Sequence, residues 1–182
     1  MDNISTTMDD SSTALTVYTG GDAGARADRW ASLAEDERKR QATTAAQGHD
    51  TAALWDLTES WLILHGRKGA QVALATRAAY RTGVAALLAA WHEENLLRPS
   101  RLAGTRWLRA QESKGRAPAS VHVALAAGRA LYAALRDAGA TVADPFKDVH
   151  PAHDPVPRWE KGRPTAQTTW SASCRRLRLS SA

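Results

Sequence analysis

Two segments of the chain combine basic side chains with the residue pattern of a helix start. In the first, "TRAAYR", Arg77 and Arg81 are four residues apart and therefore lie on one face of a helix. Thr76 and Tyr80 stand beside them, and Tyr80 can carry its hydroxyl to the rim. Backbone N–H groups at a helix N-terminus attract phosphate, and nearby arginines strengthen that attraction. The segment predicts a helix entrance that binds a polyanion.

The second segment, "KGRAPAS", repeats this pattern at residues 114–120. Lys114 and Arg116 come just before the predicted helix, and Ser120 lies in its first turns. Three polar or basic residues then follow at intervals of seven, so they share the face opposite the buried one: His122, Arg129 and Arg136. Two basic entrances suit a helical bundle that straddles duplex DNA, because phosphate contacts position a protein while a few side chains reach base edges.

The charge of the chain is unevenly distributed. The 182 residues carry a net charge of +5, but residues 1–50 sum to −4 and residues 51–182 to +9. Between Arg67 and Arg116 ten bases face three acids. This asymmetry predicts an acidic arm ahead of a basic body, and a basic body favours polyanionic partners. The alternative hypothesis to DNA binding is that the basic face binds an acidic partner protein.

No other combination of residues predicts chemistry. His150 and His153 lie between two aspartates but lack a cysteine partner or a helical pair of histidines, so we expect no metal site. The single cysteine, Cys174, excludes an internal disulfide and stands in an irregular tail, which argues against a catalytic thiol. We therefore expect no cofactor and no small-molecule substrate.

The chain also lacks the features of a membrane or secreted protein. Its N-terminus has no basic start followed by an apolar stretch. Its longest apolar run, "VAALLAAW", is far shorter than the ~20 residues that cross a bilayer. The sequence predicts a cytoplasmic protein that contacts no membrane and is associated with the nucleoid when bound to DNA.

Hydrophobic periodicity predicts only helices, and no strand. Residues 1–26 are expected to form a disordered acidic arm, and residues 27–47 a single peripheral helix. Four main helices follow, with these approximate ranges: 51–66, 73–95, 101–113 and 118–138. Residues 147–164 read as a basic, proline-rich linker, and residues 165–182 as an irregular tail.

Particular residues mark the predicted helix ends and the core. Asp50 and Ser100 are expected to be N-caps, Pro118 a first-turn residue and Gly139 a stop. Residues at spacings of three and four predict a buried stripe on the first main helix: Leu54, Leu57, Trp61 and Leu64. A similar stripe is expected on the second: Tyr80, Val84, Leu87, Leu88 and Trp91. The last helix should bury Val121, Leu125, Gly128, Tyr132 and Leu135.

The order of these features resembles the N-terminal core-binding domain of the tyrosine recombinases, the phage-integrase family. Thr76 and Tyr80 match the Thr-x-x-x-Tyr pattern that opens the second helix of that domain. Ser120 and "LYAAL" at 131–135 match its fourth helix, and Asp144-Pro145-Phe146 the segment that follows. The resemblance implies that residues 48–146 form a compact four-helix SAM-like bundle, here with an additional N-terminal helix. It also implies that "PRWEKGRP" is the hinge before a catalytic domain.

The chain departs from this family in its chemistry. Cleavage requires a nucleophilic tyrosine in the catalytic domain, but the three tyrosines are Tyr18, Tyr80 and Tyr132, all before the hinge. Residues 165–182 carry a composition typical of a shifted reading frame. We therefore expect a truncated recombinase that is not an enzyme.

The expected function is to grip duplex DNA, with other recombinase protomers as further partners. Its expected DNA contacts are Thr76, Arg77, Tyr80, Arg81, Lys114, Arg116, Ser120, His122, Arg129, Lys161 and Arg163. The alternative is a helical protein-interaction module that uses its basic face on an acidic partner.

Overall fold

A computed structural model describes residues 22–152 of the chain. Within this range there are six α-helices, a single 3₁₀ turn and no strand. The α-helices are α1 Asp22–Ser32, α2 Glu35–Gln47, α3 Thr51–His65, α4 Leu74–Ala90, α5 Ala103–Ser113 and α6 Pro118–Asp137. The 3₁₀ turn, Gly69–Gln71, connects α3 to α4. The predicted all-α fold is confirmed.

Three of the predicted helix ends are also confirmed. The Asp50 carboxylate accepts hydrogen bonds from the amides of Ala52 and Ala53, as an N-cap does. Pro118 occupies the first turn of α6. Gly139 has a φ of 70° and ends α6 in a Schellman motif, because Ala140 N–H donates to the Leu135 carbonyl and Gly139 N–H to that of Arg136.

The prediction of one helix over residues 27–47 is wrong. The chain forms two helices with a break at Leu33 and Ala34, where Ala34 is extended with a ψ of 152°. Three acids, Glu35, Asp36 and Glu37, begin the second helix, where negative charge favours an N-terminus. Residues 22–26 already belong to α1, so the predicted arm ends too late. Residues 1–21 lie outside the described part of the chain.

The prediction that this N-terminal region is peripheral is also wrong. Ala23 and Ala27 of α1 are 2% and 0% exposed, and α1 packs along α3. In α2, the three alanines Ala42, Ala45 and Ala46 belong to the main hydrophobic core. Stripes of large residues reveal a buried face in a sequence more clearly than alanines do. The bundle therefore starts at α1 rather than at residue 48.

Two boundaries in the middle of the chain differ from prediction. Helix α4 ends at Ala90, five residues before Asn95. Ser100 is not the N-cap of α5, which begins at Ala103 without a side-chain cap. Instead the Ser100 amide donates to the Glu94 carboxylate over 2.5 Å, and the Ser100 carbonyl accepts from the Ala103 amide.

The predicted core stripes are confirmed for α6 and for most of α4. On α3, Leu54 and Leu57 are buried and Trp61 is half-buried, but Leu64 is 39% exposed. The side chains that α3 buries instead include polar ones, Thr58, Glu59 and Ser60. Helices α4 and α6 approach closely at Gly83, where a Cβ would lie 2.6 Å from that of Ala127. That approach requires glycine.

Phe146, fully buried, closes the core after α6. Its ring stacks on Trp91 and meets Trp107 and Tyr132 edge to face, with centroids 5.6–5.8 Å apart. Val149 is buried as well, at 7% exposure. The bundle therefore extends at least to Val149, two residues past the predicted start of the linker, although Lys147 and Asp148 are exposed.

Among residues 22–152, no helix has both the length and the apolar character that a membrane crossing requires.

Candidate nucleic-acid interface

The N-terminus of α4 brings three of the predicted contact residues together. Thr76, Arg77 and Tyr80 line a depression of about 280 Å³. Arg67 and Lys68, from the turn after α3, line the same depression and are exposed. Ala73 stands at the N-cap position without a side-chain hydrogen bond to α4. This "α4 pocket" (Arg67, Lys68, Thr76, Arg77 and Tyr80) adds two bases that sequence reasoning had counted without assigning to a site.

Arg77 does not lie on an exposed face, so its predicted placement is wrong. Its side chain is 8% exposed, and its Nη1 lies 3.4 Å from Oε1 of Glu59. Glu59 is only 1% exposed and also accepts from Arg26 Nη2, which lies 2.5 Å from Oε2. A carboxylate buried on α3 requires charged partners, and Arg77 is directed toward it for that reason.

The charge of Arg81, the second arginine predicted for this helix entrance, also acts on the Glu59 carboxyl. Burial raises the pKa of the Glu59 carboxyl above its ordinary value, and the charges of Arg77 and then Arg81 oppose that shift. Arg81 itself is exposed. The basic face predicted for α4 is therefore turned partly inward, toward an acid that a helix-by-helix reading does not connect with it.

The N-terminus of α6 has the predicted character. Lys114, Arg116, Ser120 and His122 are all exposed. Ala117, the N-cap residue, forms no side-chain hydrogen bond to the helix. We call these four exposed residues the "α6 entrance".

A groove of about 450 Å³ places the α6 entrance beside the middle of α4. Arg116 and Ser120 line it together with Ala79, Thr82 and Gly83. The small side chains on both helices leave this groove open.

Arg129 and Arg136 have a structural role that the sequence did not reveal. Arg129 Nε and Nη2 donate to the carbonyls of Phe146 and Val149, over 3.3 and 2.7 Å. Arg136 Nη1 donates to the Ala143 carbonyl and lies 3.0 Å from Oδ2 of Asp144. Arg129 is exposed and its assignment to DNA stays a prediction, but its guanidinium also holds the segment after α6 against the bundle.

A further basic surface surrounds α5. Residues 98–116 contain six bases and a single acid, Glu112. Helix α5 buries Trp107, Leu108 and Gln111, and this leaves Arg106 and Arg109 on its exposed side. We define the "α5 basic face" as Arg98, Arg101, Arg106, Arg109, Lys114 and Arg116. Within the described residues, Arg109 is the member with an ion pair, to Glu112 at 2.6 Å.

The α5 basic face shares Lys114 and Arg116 with the α6 entrance, so the two form one basic stretch along the chain. The sequence signal for it was the count of bases between Arg67 and Arg116. The count does not reveal which bases face solvent, because their exposure depends on which side of α5 packs against the core.

Other predicted positions have different outcomes. Lys161 and Arg163 lie outside the described residues, as do His153, Asp154 and Cys174. Across residues 22–152, the side chains of His, Cys, Asp and Glu form no group of three that could hold a metal ion.

No family model matches this chain, and the comparisons with curated proteins and with solved structures found no match either. The resemblance to the core-binding domain of tyrosine recombinases therefore stays a prediction.

Proposed function

We propose that this chain is a DNA-binding module that grips duplex DNA without cleaving it, as the core-binding part of a site-specific tyrosine recombinase. One observation carries the proposal: the exposed bases of the α5 basic face continue into the α6 entrance, with Glu112 as the single acid of that stretch. Such a module acts in the cytoplasm on the nucleoid, with other recombinase protomers as further partners.

Several features of this surface suit a phosphate backbone. Exposed arginines and lysines release counterions when they neutralise phosphates, and this release supplies most of the sequence-independent affinity for DNA. At the start of α6, Pro118 has no N–H and the amides of Ser120 and Val121 donate to the Ala117 carbonyl, so the Ala119 amide is the donor of this turn that can meet a phosphate beside Ser120. His122, also exposed, lies two residues after Ser120 on α6.

The tyrosines of the bundle support binding without cleavage. Tyr132 is fully buried and its hydroxyl donates to the Leu96 carbonyl over 3.0 Å. Burial, followed by the nearby Glu94 charge, raises the pKa of this phenol above its ordinary value. A buried phenol that resists ionisation is a poor nucleophile. Tyr80 is half-buried in the α4 pocket, apart from the α5 basic face.

A groove along α6 favours the alternative function, binding of an acidic partner protein. About 470 Å³ in volume, it is lined by Trp61, Tyr80 and Ala130, with the bases Arg129 and Lys147 at its sides. Half-buried aromatic side chains are common anchors in protein interfaces. Strong affinity for acidic proteins, without affinity for duplex DNA, would favour this alternative.

The test is fluorescence anisotropy of the full chain on a labelled duplex of about 30 base pairs across a salt series. Arg106, Lys114 and Arg116 are changed together to Gln. We expect the slope of log affinity against log salt to fall by about 2.7, since each phosphate contact contributes about 0.9.

A matched control changes Arg29, Lys39 and Arg40 to Gln, three exposed bases of α1 and α2. This variant has the same net charge and should retain nearly the wild-type slope. Equal losses in both variants would mean that bulk charge alone attracts DNA. Failure of the wild-type chain to bind duplex DNA at low salt would reject the proposed function.

A further inference from the structure

The α4 pocket combines an apolar lining with basic residues. Leu62 of α3, Val72 before α4 and Tyr80 of α4 supply the apolar part of the lining, and each of the three is half-buried. Arg67 and Lys68 line the pocket from the turn after α3, and both are exposed. A site that offers both kinds of surface suits a ligand with an apolar body and a charged group.

The charge of the lining favours an anion. Of the eight residues that line the α4 pocket, three are bases and none is an acid. Arg77, one of these bases, pairs with the buried carboxylate of Glu59. Within residues 22–152, the ion pairs include neither Arg67 nor Lys68. Charges of one sign beside apolar walls concentrate the electrostatic field, so these two bases attract a negatively charged ligand.

The two bases lie on a turn that backbone hydrogen bonds hold in place. The Gly69 amide donates to the Gly66 carbonyl over 2.9 Å, and the Gln71 amide donates to the Lys68 carbonyl over 3.0 Å. The turn therefore positions the bases beside the apolar walls before a ligand binds. Such preorganisation lowers the entropic cost of binding.

The volume of the α4 pocket limits the size of the ligand. At about 280 Å³ it lies just below the usual range of about 300–1,000 Å³ for small-molecule sites. An apolar cavity of about 150 Å³ already holds a benzene molecule, so one ring and a short acid fit here. The phosphates of duplex DNA carry no apolar body, so DNA leaves the apolar walls of this pocket without a partner.

Among anions, a carboxylate suits this pocket better than a phosphate group. A phosphate monoester carries a charge of about −1.5 to −2 at neutral pH, and placing more charge beside apolar walls costs more free energy. A carboxylate carries a single charge, and an arginine can bind it with two parallel hydrogen bonds. The hydroxyl of Thr76, which also lines the pocket, can donate to the same group.

We propose that the α4 pocket binds a small carboxylate whose apolar body is about the size of one aromatic ring. The body lies against Leu62, Val72 and Tyr80, and Arg67 and Lys68 hold the carboxylate. The same chemistry occurs in a free carboxylic acid and at the C-terminus of a peptide that ends in an aromatic residue. The pocket shares no residue with the α5 basic face, so this binding is separate from the proposed grip on DNA.

Nuclear magnetic resonance of the full chain with labelled methyl groups tests the proposal, with hydrocinnamate (a phenyl ring joined to propionate) as the probe. We expect saturable shifts of the methyl signals of Leu62 and Val72, with a Kd in the millimolar range for a ligand of this size. Methyl signals of both residues that stay unchanged at tens of millimolar hydrocinnamate would overturn the proposal.

Two further probes separate the contributions of charge and apolar body. Hydrocinnamamide has the same ring without the charge, and acetate has the charge without the ring. Each should bind about fivefold more weakly than hydrocinnamate, or more weakly still. Equal binding of the acid and the amide would contradict the role of the two bases, and equal binding of acetate would contradict that of the apolar walls.

A matched pair of variants tests the basic residues. Arg67→Gln with Lys68→Gln should weaken hydrocinnamate binding about fivefold, since each exposed charge contributes modestly in water. Arg29→Gln with Lys39→Gln removes the same charge from exposed positions of α1 and α2 and should leave the binding unchanged. Equal weakening in both variants would mean that net charge alone attracts the anion, and would overturn the site.

A pocket-filling variant tests the apolar walls. Val72→Trp places a larger side chain in the lining, so the shifts of the Leu62 methyl signals should disappear while the helical circular dichroism is retained. Leu62 shifts of wild-type size in this folded variant would show that the ligand binds elsewhere.

A short peptide that ends in phenylalanine distinguishes the two sources of the carboxylate. Tighter binding of this peptide than of hydrocinnamate, lost when its C-terminus is amidated, would support a protein C-terminus as the ligand. Weaker binding of the peptide would support a free carboxylic acid. If neither probe shifts the Leu62 and Val72 signals, the proposal is rejected. None of these measurements involves DNA, so their outcome is independent of the proposed function.

Discussion

The starts of α4 and α6 look alike in sequence but differ in the folded chain. Each has an alanine at the N-cap position without a side-chain cap, and each has arginine nearby. At α4, Arg77 is buried against Glu59. At the α6 entrance, Lys114 and Arg116 are exposed, with no carboxylate of residues 22–152 in ion-pair contact. Similar local patterns therefore lead to a structural role in one place and to an available basic surface in the other.

The difference arises from the position of each arginine relative to α3. Arg77 is the fourth residue of α4, inside the helix, and its side chain meets the buried carboxylate of Glu59. Arg116 precedes α6 and projects from a turn that contains Gly115, at a φ of 66°. The buried carboxylate of Glu59 pairs with arginines of α1 and α4, whereas Arg116 stays exposed. A count of basic residues cannot separate these two groups.

Loss of Glu59 should have the largest effect on the α4 side of this comparison. Glu59→Ala leaves the charges of Arg26 and Arg77 near a site that no longer compensates them. We expect the free energy of unfolding to fall by about 3–5 kcal/mol, as when one partner of a buried ion pair is removed. Urea denaturation measures it. A loss below about 1 kcal/mol would show that water replaces the carboxylate easily.

Arg77 and Arg116 provide the matched pair of substitutions. Arg77→Ala should lower the free energy of unfolding by about 3 kcal/mol, since Glu59 keeps only part of its compensation. Arg116→Ala should leave the urea midpoint unchanged, because the side chain is exposed in a turn. Equal midpoints for the two variants would remove the distinction between the two helix starts.

For DNA binding, substitutions at the α6 entrance should have a larger effect than substitutions at the start of α4. Lys114→Ala with Arg116→Ala should lower the slope of log affinity against log salt by about 1.8, the value for two phosphate contacts. Arg67→Ala with Lys68→Ala, in the α4 pocket, should lower it by less, because these bases are not continuous with the α5 basic face. Anisotropy with the same duplex compares the pairs. A larger change for Arg67 and Lys68 would move the interface to α4.

The pH dependence of stability tests whether burial or the nearby arginines have the larger effect on the Glu59 carboxyl. The pKa of its carboxyl in the folded chain lies above the ordinary value of 4.5. The folded state therefore binds the proton more readily than the unfolded state, so this stabilising contribution is complete below pH 4.5 and is lost as the pH rises through the raised pKa. The difference in the free energy of unfolding between wild type and Glu59→Gln should therefore become smaller as the pH rises through this raised pKa.

Urea midpoints at successive pH values measure this effect, the smallest of the four. A difference that widens as the pH rises would mean that the arginines outweigh burial at this carboxyl.

The sequence by itself determined the helical class, most helix ends and much of the core. Local signals sufficed for these: the Asp50 cap, Pro118 and Gly139, and the stripes of large apolar residues on α4 and α6. It also located the exposed bases of the α6 entrance, since a turn rich in glycine and proline stays at the surface. The predicted resemblance to a recombinase domain suggested the function that we propose, and the exposed bases of the α5 basic face and the α6 entrance support it.

The tertiary structure decided what depends on contacts between distant residues. It placed the alanines of α1 and α2 in the bundle, because a face of small apolar residues becomes part of the core only when a neighbouring helix covers it. It turned Arg77 toward Glu59, eighteen positions earlier in the chain, and Arg129 toward the carbonyls of Phe146 and Val149. A charged side chain's role depends on whether a buried acceptor lies within its reach, and that is a property of packing between helices.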